Sequence, residues 1–472
     1  MMAPGEVKAL FDRLESRLLR QRVQCARVDS WVRPELDRGF ELPRRATREH
    51  QDLADLSRTP WLRLVVDNVV QAMYVDAVYA SSGKSRDLWG LWAANGMQSL
   101  QVSAHRSMIS YGHCYALVSR AVRHGEWSAR VRFFSPKTMA VEFDDAGVDA
   151  LPSAALELVA PECWVLRVPG EDIHLERRDV ASADTEMDGL VITSRIPTGV
   201  AYVPVVRFAN QVDLDGRVIG EVEPFIPTAQ RINKTAYDRL LAQHFNSWKV
   251  KTATGLELPS VADADGDPTD RVDVEATERL KTKLAQEDIL IAEDPEVRFG
   301  TLDATSLDPF VNSWRSDIEA LAAATQTPAH ALTGQLVNLS AEALAAARAP
   351  LTQKVYERQM NAGVSYSRVL QLMAEMAGFR ELAADDRVRV TWQDMEVRSL
   401  SQAADALSKV ANGLRVPVRA LWHLVPGVEA TEVEEWERLS DEEIERDPLT
   451  ASLQRQAEQT IGGVSGGADE TG

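Results

Sequence analysis

The sequence has few cysteines, and they are not paired. Cys25, Cys114 and Cys163 are the three in 472 residues, and their spacing fits neither a disulfide framework nor a metal-binding knuckle. Because disulfides commonly stabilise small secreted domains, this cysteine usage excludes that class and is typical of a reducing compartment.

Long apolar runs are absent as well. A membrane helix needs roughly 18 or more predominantly apolar residues, and the most apolar stretch, "WLRLVVDNVVQAMYVDAVYA", is broken by Arg63, Asp67, Asn68 and Asp76. The N-terminus, "MMAPGEVKALFDRLESRLLRQ", alternates acidic and basic residues and offers no export signal. We therefore expect no membrane association, and assembly in the cytoplasm.

The chain also lacks a basic stripe, and its formal net charge is −19. A protein that grips nucleic acid places Lys or Arg at the phosphates it neutralises, so this composition disfavours tight DNA binding. The acidity is concentrated in residues 258–297 and 430–449, and the simplest interpretation of both is solvated surface. With 45% apolar and 26% charged residues, the chain is typical of a globular protein of two to four domains.

The first 220 residues predict a helical layer followed by an antiparallel sheet. Thr59-Pro60 is a helix start, and that helix is expected to run to about residue 80. One or two further helices end at Gly112, a typical helix cap. "HCYALVSRAV" and "EWSARVRFFSP" predict a hairpin. Further strands are predicted by "MAVEFDD", "AALELVA", "CWVLRVP", "DIHLERR", "GLVITSRIP" and "VPVVRFAN".

Two helices are predicted to bracket the first acidic segment. The first follows Pro224 and Pro227, and the second begins at Asp308-Pro309. The first carries two apolar stripes, so we expect it to have neighbours on two sides. These stripes are Ala229, Ile232, Ala236 and Leu240 on one side, and Tyr237, Leu241, Phe245 and Trp248 on the other.

A polar stretch beginning at Pro328 precedes a long helix over about residues 341–377, which Pro350 should kink and Gly363 should weaken. "RVRVTWQD" predicts a strand. "SLSQAADALSKVANG", closed by Gly413, "PVRALWHLV" and "TEVEEWERLSDEEIER" predict three helices, and "IGGVSGGADETG" predicts a disordered tail.

Two fragments have the letters of catalytic motifs but not their context. "GVSGG" spells a nucleophile elbow at Gly463, Ser465 and Gly467, yet it lies in the glycine-rich tail rather than at a strand-to-helix turn. "SSGKS", residues 81–85, ends like a phosphate-binding loop. Val78 stands where such a loop needs its first glycine, and a helix rather than a strand is expected before it.

Metal-binding patterns are equally incomplete. "DADGDPTD" spaces Asp263, Asp265 and Asp267 as in a calcium loop, but Pro268 occupies the glycine position and Val274 the position of the final glutamate. A loosely bound cation remains an alternative to plain surface. A shared metal site formed by His105, His113 and Cys114 is disfavoured, since Gly112 is expected to end the helix between them.

The order of these parts resembles the portal proteins of tailed bacteriophages, of the SPP1 type. The resemblance is carried by "LVVDNVVQAMYVD", "LWAANGMQSLQVSAHRSMISYGHCYALV", "FFSPKTMAVEFDD", "EVEPFIPTAQRINKTAYDRLLA" and "IEALAAATQTPAHALTGQLVNLSAEALAAARAPLTQKV", spread over roughly residues 60–410. The last segment is the most specific, because it places a Pro-containing segment, a short polar loop, a serine and a small-residue helix in the order that family members have.

The resemblance implies an α+β portal fold with named parts. They are an N-terminal helical arm (1–50), a wing of helices and antiparallel sheet (51–222), stem helix 1 (223–250), a small α/β clip (251–305), stem helix 2 (306–327), a tunnel loop (328–339), the kinked long helix and a strand of the wing (340–397), a helical crown (398–450) and a disordered tail (451–472). The first 45 residues match no part of the family, and they are either an arm that contacts scaffold or capsid, or a surface helix.

Function and partners follow from the same resemblance. Portal proteins form rings of about twelve subunits at one capsid vertex, and double-stranded DNA is packaged and ejected through them without sequence-specific binding. The implied partners are further copies of the chain, the terminase large subunit, head-tail adaptor proteins, and the major capsid and scaffold proteins. No catalytic residue, metal or cofactor is implied. An acidic ring with a formal charge on the order of −200 would repel the phosphates of passing DNA.

The resemblance also assigns candidate residues. Those of the tunnel loop that would face DNA are Thr333, Gly334, Gln335, Leu336, Val337 and Asn338. Basic residues that would face the channel, or form ion pairs between neighbouring subunits, are Lys249, Lys251 and Arg315. Acidic residues that would dock the motor and adaptors are Asp263, Asp265, Asp267, Asp270 and Glu278.

Two other functions are possible. One is a nucleotide- or metal-dependent hydrolase that uses Gly83-Lys84-Ser85 or the segment Asp263–Asp267. The other is a head-tail adaptor, which the length of the chain disfavours.

Overall fold

The computed structural model has the α+β architecture expected from the sequence, and its described strands pair antiparallel. Two compact units are present: Met1–Val28, Val65–Glu223 and Arg348–Gly472 form the first, and Asp29–Leu64 and Pro224–Ala347 the second. The structure describes residues 2–33, 40, 42, 46–145, 151–178, 187, 189–247, 251–254, 260–262, 268–272, 274, 298–301, 305–334, 340–393, 400–425, 428 and 430–446.

The elements are numbered in chain order. The helices are α1 Pro4–Val32, α2 Arg48–Leu56, α3 Trp61–Gln71, α4 Ser85–Ala94, α5 Met97–Tyr111, α6 Ile226–Ser247, α7 Asp308–Ala324, α8 Ala329–Thr333, α9 Ala341–Ala377, α10 Arg380–Ala383, α11 Leu400–Leu414 and α12 Ala430–Arg446, with 3-10 turns at Glu223–Phe225 and Val418–Leu424. The strands are β1 Val75–Tyr79, β2 His113–Arg123, β3 Glu126–Phe134, β4 Met139–Glu142, β5 Ala154–Ala160, β6 Cys163–Val168, β7 Glu171–Arg177, β8 Leu190–Pro197, β9 Val205–Ala209, β10 Gln211–Val212, β11 Val218–Ile219, β12 Lys251–Thr254, β13 Ser260–Ala262, β14 Pro268–Val272, β15 Arg298–Thr301 and β16 Arg389–Trp392.

A five-stranded antiparallel meander, β4 to β8 in sequence order, forms one core of the first unit. Helix α1 packs an apolar face on this sheet, and its Phe11 ring meets Trp164 edge-to-face with the centroids 5.0 Å apart. Phe11 and Leu14 are fully buried. The sequence predicted either an arm or a surface helix for this segment. One face of α1 instead lies in a core, because the sheet beneath it has an apolar surface that the helix covers.

The predicted hairpin is confirmed and belongs to a second, three-stranded sheet ordered β3-β2-β9. Its turn, His124-Gly125, has both residues at positive φ, +51° and +85°. This is the left-handed geometry that suits the twist of a tight hairpin. Gly112, expected to end the preceding helix, does so at φ +91°.

One boundary was predicted wrongly. The helix that starts at Trp61 ends at Gln71, and Val75–Tyr79 is a strand paired with β16, with Tyr79 opposite Arg389. The stretch "AMYVDAVYA" is apolar enough to suit either state, so sequence periodicity alone could not separate them. The strand forms because β16 supplies its hydrogen-bonding partner.

Tyr366 of the long helix α9 is the centre of an aromatic cluster. Its fully buried ring lies within 4.8–6.1 Å, between centroids, of the rings of Phe208, Trp92, His105 and Trp392. Its hydroxyl is 2.9 Å from Nε2 of His105. Helix α9 therefore packs against helices α4 and α5 and strands β9 and β16 in one core.

A buried ion cluster fixes the segment that leads out of the first unit. The Glu221 carboxylate accepts from Lys354 and Arg358 of α9, each at 2.8 Å, and all three side chains are buried. Burial by itself would raise the pKa of Glu221, but the two cations lower it. The neighbouring Gly220 cannot be replaced without strain, since a Cβ there would lie 2.6 Å from the carbonyl oxygen of Ser110.

The predictions for the chain from Ala341 onwards are largely confirmed. Helix α9 has the expected limits, Ala341–Ala377, and contains Pro350. Helix α11 ends at Leu414, and the left-handed residue after it is Arg415 (φ +54°) rather than Gly413. "PVRALWHLV" forms a 3-10 helix rather than an α-helix. The tail, with Gly463, Ser465 and Gly467, lies outside the described residues.

Among the helices that the structure describes, none combines the length and apolarity needed to cross a membrane.

We predict an acid-sensitive fold, because two histidines are buried in neutral form. Burial lowers the pKa of His105 and of His113 to about 4 each, from 6.5 in an unfolded chain. The unfolded state therefore binds two more protons between these values, so the stability that these groups contribute is present above pH 6.5 and lost as the pH falls towards 4. Each histidine should lower the free energy of unfolding by up to about 1.4 kcal/mol per pH unit in that window.

Urea unfolding at pH 7, 6 and 5 measures this effect. In the variant His113→Gln, the free energy of unfolding should decline about half as much as in the parent, because only one of the two histidine protons is then taken up on unfolding. Equal stability of the parent at pH 7 and pH 5 would contradict the assignment.

Candidate functional site

The second unit is built on the two predicted bracketing helices, α6 and α7, which lie side by side. Arg231 and Asp317 form an ion pair at 2.8 Å, and the guanidinium of Arg239 lies 5.4 Å from the ring centroid of Trp314. The indole of Trp61 meets Trp314 edge-to-face at 5.9 Å. An ion pair and a cation–π contact thus join α6 to α7.

The two apolar stripes predicted for α6 are partly confirmed. On α6, Ile232 is fully buried and Tyr237 is 5% exposed, whereas Phe245 is 57% exposed. On α7, Ile318 and Leu321 are buried. Burial thus decreases towards the C-terminal end of α6, where the helix approaches the inserted segment.

The two helices are closed at the base of the inserted segment. The Asn246 side-chain amide donates to the Thr305 carbonyl at 2.7 Å, and the Thr305 N–H donates to Asn246 Oδ1 at 3.1 Å. Beyond this clasp, β12 and β15 continue the pairing as an antiparallel ribbon in which Lys251 lies opposite Thr301. The inserted segment therefore leaves and rejoins the helix pair at one place.

The stretch after α7 contains more regular structure than predicted. Residues 328–339 were expected to be a loop, but Ala329–Thr333 form the short helix α8. Gly334 ends it with φ +69° and donates its N–H to the His330 carbonyl at 2.9 Å. The helix forms because Pro328 precedes its first turn and the Gly334 N–H satisfies one of its last carbonyls.

The structure places only some of the candidate residues. Thr333 and Gly334 are at the end of α8, Arg315 is exposed on α7, Lys251 is the first residue of β12, and Asp270 is in β14. The remaining candidates lie outside the described residues: Gln335, Leu336, Val337, Asn338, Lys249, Asp263, Asp265, Asp267 and Glu278.

The chain matches a protein-family model over residues 41–447, and that model describes phage portal proteins of the SPP1 Gp6-like type. The match covers most of the chain. The chain belongs to this family.

Other comparisons add little. The portal protein is similar to a chain from the virion of a native gene transfer agent particle, with 12% identity over 80% of this chain and 94% of the other and a TM-score of 0.40. It is also similar to a chain from the neck of an empty particle of that kind, with 11% identity over 82% and 96% and a TM-score of 0.42. No curated protein matches it. As a member of the portal family, the protein is a head-tail connector, and the family is structural rather than enzymatic.

In this portal protein the "SSGKS" stretch lies between a strand and a helix, β1 and α4, so the expectation of a preceding helix was wrong. Its donors are nevertheless engaged within the chain. The N–H of Ser81 donates to Asp385 at 2.7 Å, the Ser81 hydroxyl donates to the same carboxylate at 2.9 Å, and Lys84 donates to Glu381 at 2.5 Å. The hydrogen bond from Lys84 lowers the pKa of Glu381. The backbone N–H of Arg387 is the main cause that lowers the pKa of Asp385, and bonds from Ser81 lower it further. Two carboxylates thus occupy donors that a nucleotide phosphate would need.

The histidines and the cysteine considered for a metal each have a different partner within the chain. Nδ1 of His105 faces the Met73 carbonyl at 3.1 Å, Nε2 of His113 faces the Gln21 amide at 3.3 Å, and the Cys114 thiol donates to the Ala104 carbonyl at 3.3 Å. Burial raises the pKa of Cys114, which disfavours the thiolate that a metal would require. Within the described part of the chain, no three His, Cys, Asp or Glu side chains converge to hold a metal ion.

We predict that Lys84→Ala changes no enzymatic property. Because Lys84 serves an exposed ion pair with Glu381, phosphate release from ATP should equal the background of the parent protein. Asp385→Ala is the matched comparison, since it removes the acceptor of the Ser81 N–H and should lower the melting temperature. A parent activity that disappears in Lys84→Ala would revive the hydrolase alternative.

Proposed function

We propose that about twelve copies of this portal protein assemble into a ring at one capsid vertex and surround the DNA that enters and leaves the particle. The family match supports the connector role itself. The ring, the number of subunits and the passage of DNA are the finer steps that this proposal adds.

The single observation that carries the proposal is the clasped helix pair with its insert. Two adjacent helices, closed by Asn246 and Thr305 and extended by a two-stranded ribbon, bring the two ends of the segment 251–305 together. Repeated around a ring, segments joined in this way would give an annular surface to which a motor can dock. We assign α6 and α7 to the stem and residues 251–305 to the clip on this basis.

The distribution of charge supports the same assignment. Residues 258–297 contain 12 acidic and 4 basic residues, and residues 430–449 contain 9 acidic and 2 basic residues. These two segments therefore carry −15 of the formal charge of −19. Helix α6 carries +2 and α7 carries −2, so the stem pair is neutral overall. We infer that the two acidic segments repel DNA and that the stem pair, with no net charge, does not grip it.

The proposed partners follow from these parts. The clip meets the terminase large subunit during packaging and head-tail adaptors afterwards, while other surfaces meet the major capsid and scaffold proteins in the host cytoplasm and then in the virion. In the same proposal, the segment of residues 328–339, which contains no Asp, Glu, Lys or Arg, faces the DNA. The acidic residues assigned to docking are Asp263, Asp265, Asp267, Asp270 and Glu278, and those assigned to DNA contact or to ion pairs between subunits are Lys249, Lys251 and Arg315.

We predict that the purified protein forms rings. Negative-stain images should show annular particles with a central hole wide enough for a DNA duplex, and light scattering should give a mass of about twelve chains. A uniform monomer at high protein concentration would contradict the proposal.

We also predict weak binding of free duplex DNA. Few phosphates can be neutralised. The Kd at physiological salt should therefore be larger than the roughly 10⁻⁶ M that non-specific DNA-binding proteins reach, and it should not depend on DNA sequence. Fluorescence anisotropy with two unrelated duplexes at several salt concentrations measures this. A tight or sequence-selective complex would contradict passage of DNA through a ring that does not grip it.

A further inference from the structure

A small cavity belongs to the first unit and lies where the second half of α1 meets the end of α5 and the start of β2. Its polar lining residues are Gln21 and Gln24 of α1, Ser110 of α5, His113 of β2, and Glu223. The centre of a water molecule can move within about 20 Å³ of this cavity. Because an ordered water needs roughly 10–15 Å³ by that measure, the cavity has room for about one.

Two buried polar atoms of the lining residues have no hydrogen-bonding partner in the described part of the chain. They are Nδ1 of His113, a residue that is 8% exposed, and Oε1 of Gln21. Most buried polar atoms in folded proteins are paired with protein or with ordered water, because an unpaired atom has lost its hydration without replacement. The cavity therefore suits a ligand that forms hydrogen bonds.

The contact between these two side chains fixes which hydrogen bonds the ligand must make. Nε2 of Gln21 lies 3.3 Å from Nε2 of His113. An amide nitrogen donates and does not accept, so Nε2 of His113 is the acceptor in this contact. Burial and, to a lesser extent, the positive charge of Arg207 lower the pKa of His113 to about 4, so the ring is neutral at pH 7 and its proton is on Nδ1. The ligand must therefore accept from Nδ1 and donate to Oε1 of Gln21.

This requirement separates water from other small ligands. A protonated Nδ1 has no lone pair for a metal cation, and an anion would accept from Nδ1 but leave the Gln21 oxygen unpaired. A water molecule both accepts and donates. We propose that the cavity binds one ordered water molecule, which accepts a hydrogen bond from Nδ1 of His113 and donates one to Oε1 of Gln21.

The water site includes residues of α1, which lies outside the family match. The match begins at residue 41, and α1 precedes it. The first half of α1 packs on the five-stranded sheet through apolar side chains. The second half makes polar contacts, in which Gln21 meets His113 and Gln24 donates to Glu223 at 2.6 Å. The bound water thus completes a polar joint between α1 and the part of the chain that matches the family.

A density map of the full-length protein that resolves ordered waters tests the site directly. One peak should lie within hydrogen-bonding distance, about 2.7–3.2 Å, of both Nδ1 of His113 and Oε1 of Gln21. A cavity without a peak, or a peak that reaches only one of the two atoms, would overturn the inference.

Two substitutions of His113 separate the role of Nδ1 from that of the rest of the ring. His113→Asn keeps a polar group near the position of Nδ1 and loses Nε2, whereas His113→Gln keeps one near the position of Nε2 and loses Nδ1. We expect the water peak to persist in His113→Asn and to be lost in His113→Gln. The control is His124→Asn, at an exposed histidine in the β2–β3 turn, which should keep the peak.

Each outcome decides the assignment. A peak that persists in His113→Gln, or one that is lost in His113→Asn, would contradict Nδ1 as the donor and overturn the inference. If His113→Gln does not fold, the parent map and His113→Asn still decide. The water site does not depend on the ring, because its lining residues belong to one unit of one chain. A protein that stays monomeric would therefore contradict the proposed function and leave this inference standing.

Discussion

The first unit depends on the passage of α9 through its centre. Tyr366 contacts rings from α4, α5, β9 and β16. Its hydroxyl meets Nε2 of His105, whose other ring nitrogen faces the Met73 carbonyl. Each contact requires the others, because the ring is fully buried and a displaced neighbour would leave a cavity. Ten residues earlier, the same helix exposes Tyr356. One helix therefore supplies the core of a unit and also exposes an aromatic side chain.

The same helix fixes where the second unit begins. Lys354 and Arg358 hold Glu221, and three residues after Glu221 the chain enters the segment that leads into α6. Removing one member would leave an uncompensated buried charge, which is strongly destabilising in other proteins. The crossing at Gly220 adds a steric limit, since no side chain fits beside Ser110. Charge and close backbone packing together define the exit from the first unit.

The "SSGKS" stretch illustrates how surroundings decide the meaning of a motif. Its placement between a strand and a helix is the one that a phosphate site needs. The expectation from the sequence, that a helix precedes the loop, was wrong. Glu381 and Asp385, about 300 residues further along, bring negative charge to the loop and accept its hydrogen bonds. A loop whose donors already serve carboxylates repels a phosphate. These contacts between distant residues add to the local reason, which is Val78 in place of the first glycine.

Periodicity and caps determined most helices and strands from the sequence, because those signals are local: the limits of α9, the cap at Gly112 and the β2–β3 hairpin all have the predicted form. The order of parts also determined the family. The remaining features of the fold were decided by segments that are distant in sequence and pack together. Val75–Tyr79 is a strand because β16 pairs with it, and α1 is half-buried because a sheet lies beneath it. The physical reason is that an isolated stretch of chain carries no information about what will pack against it.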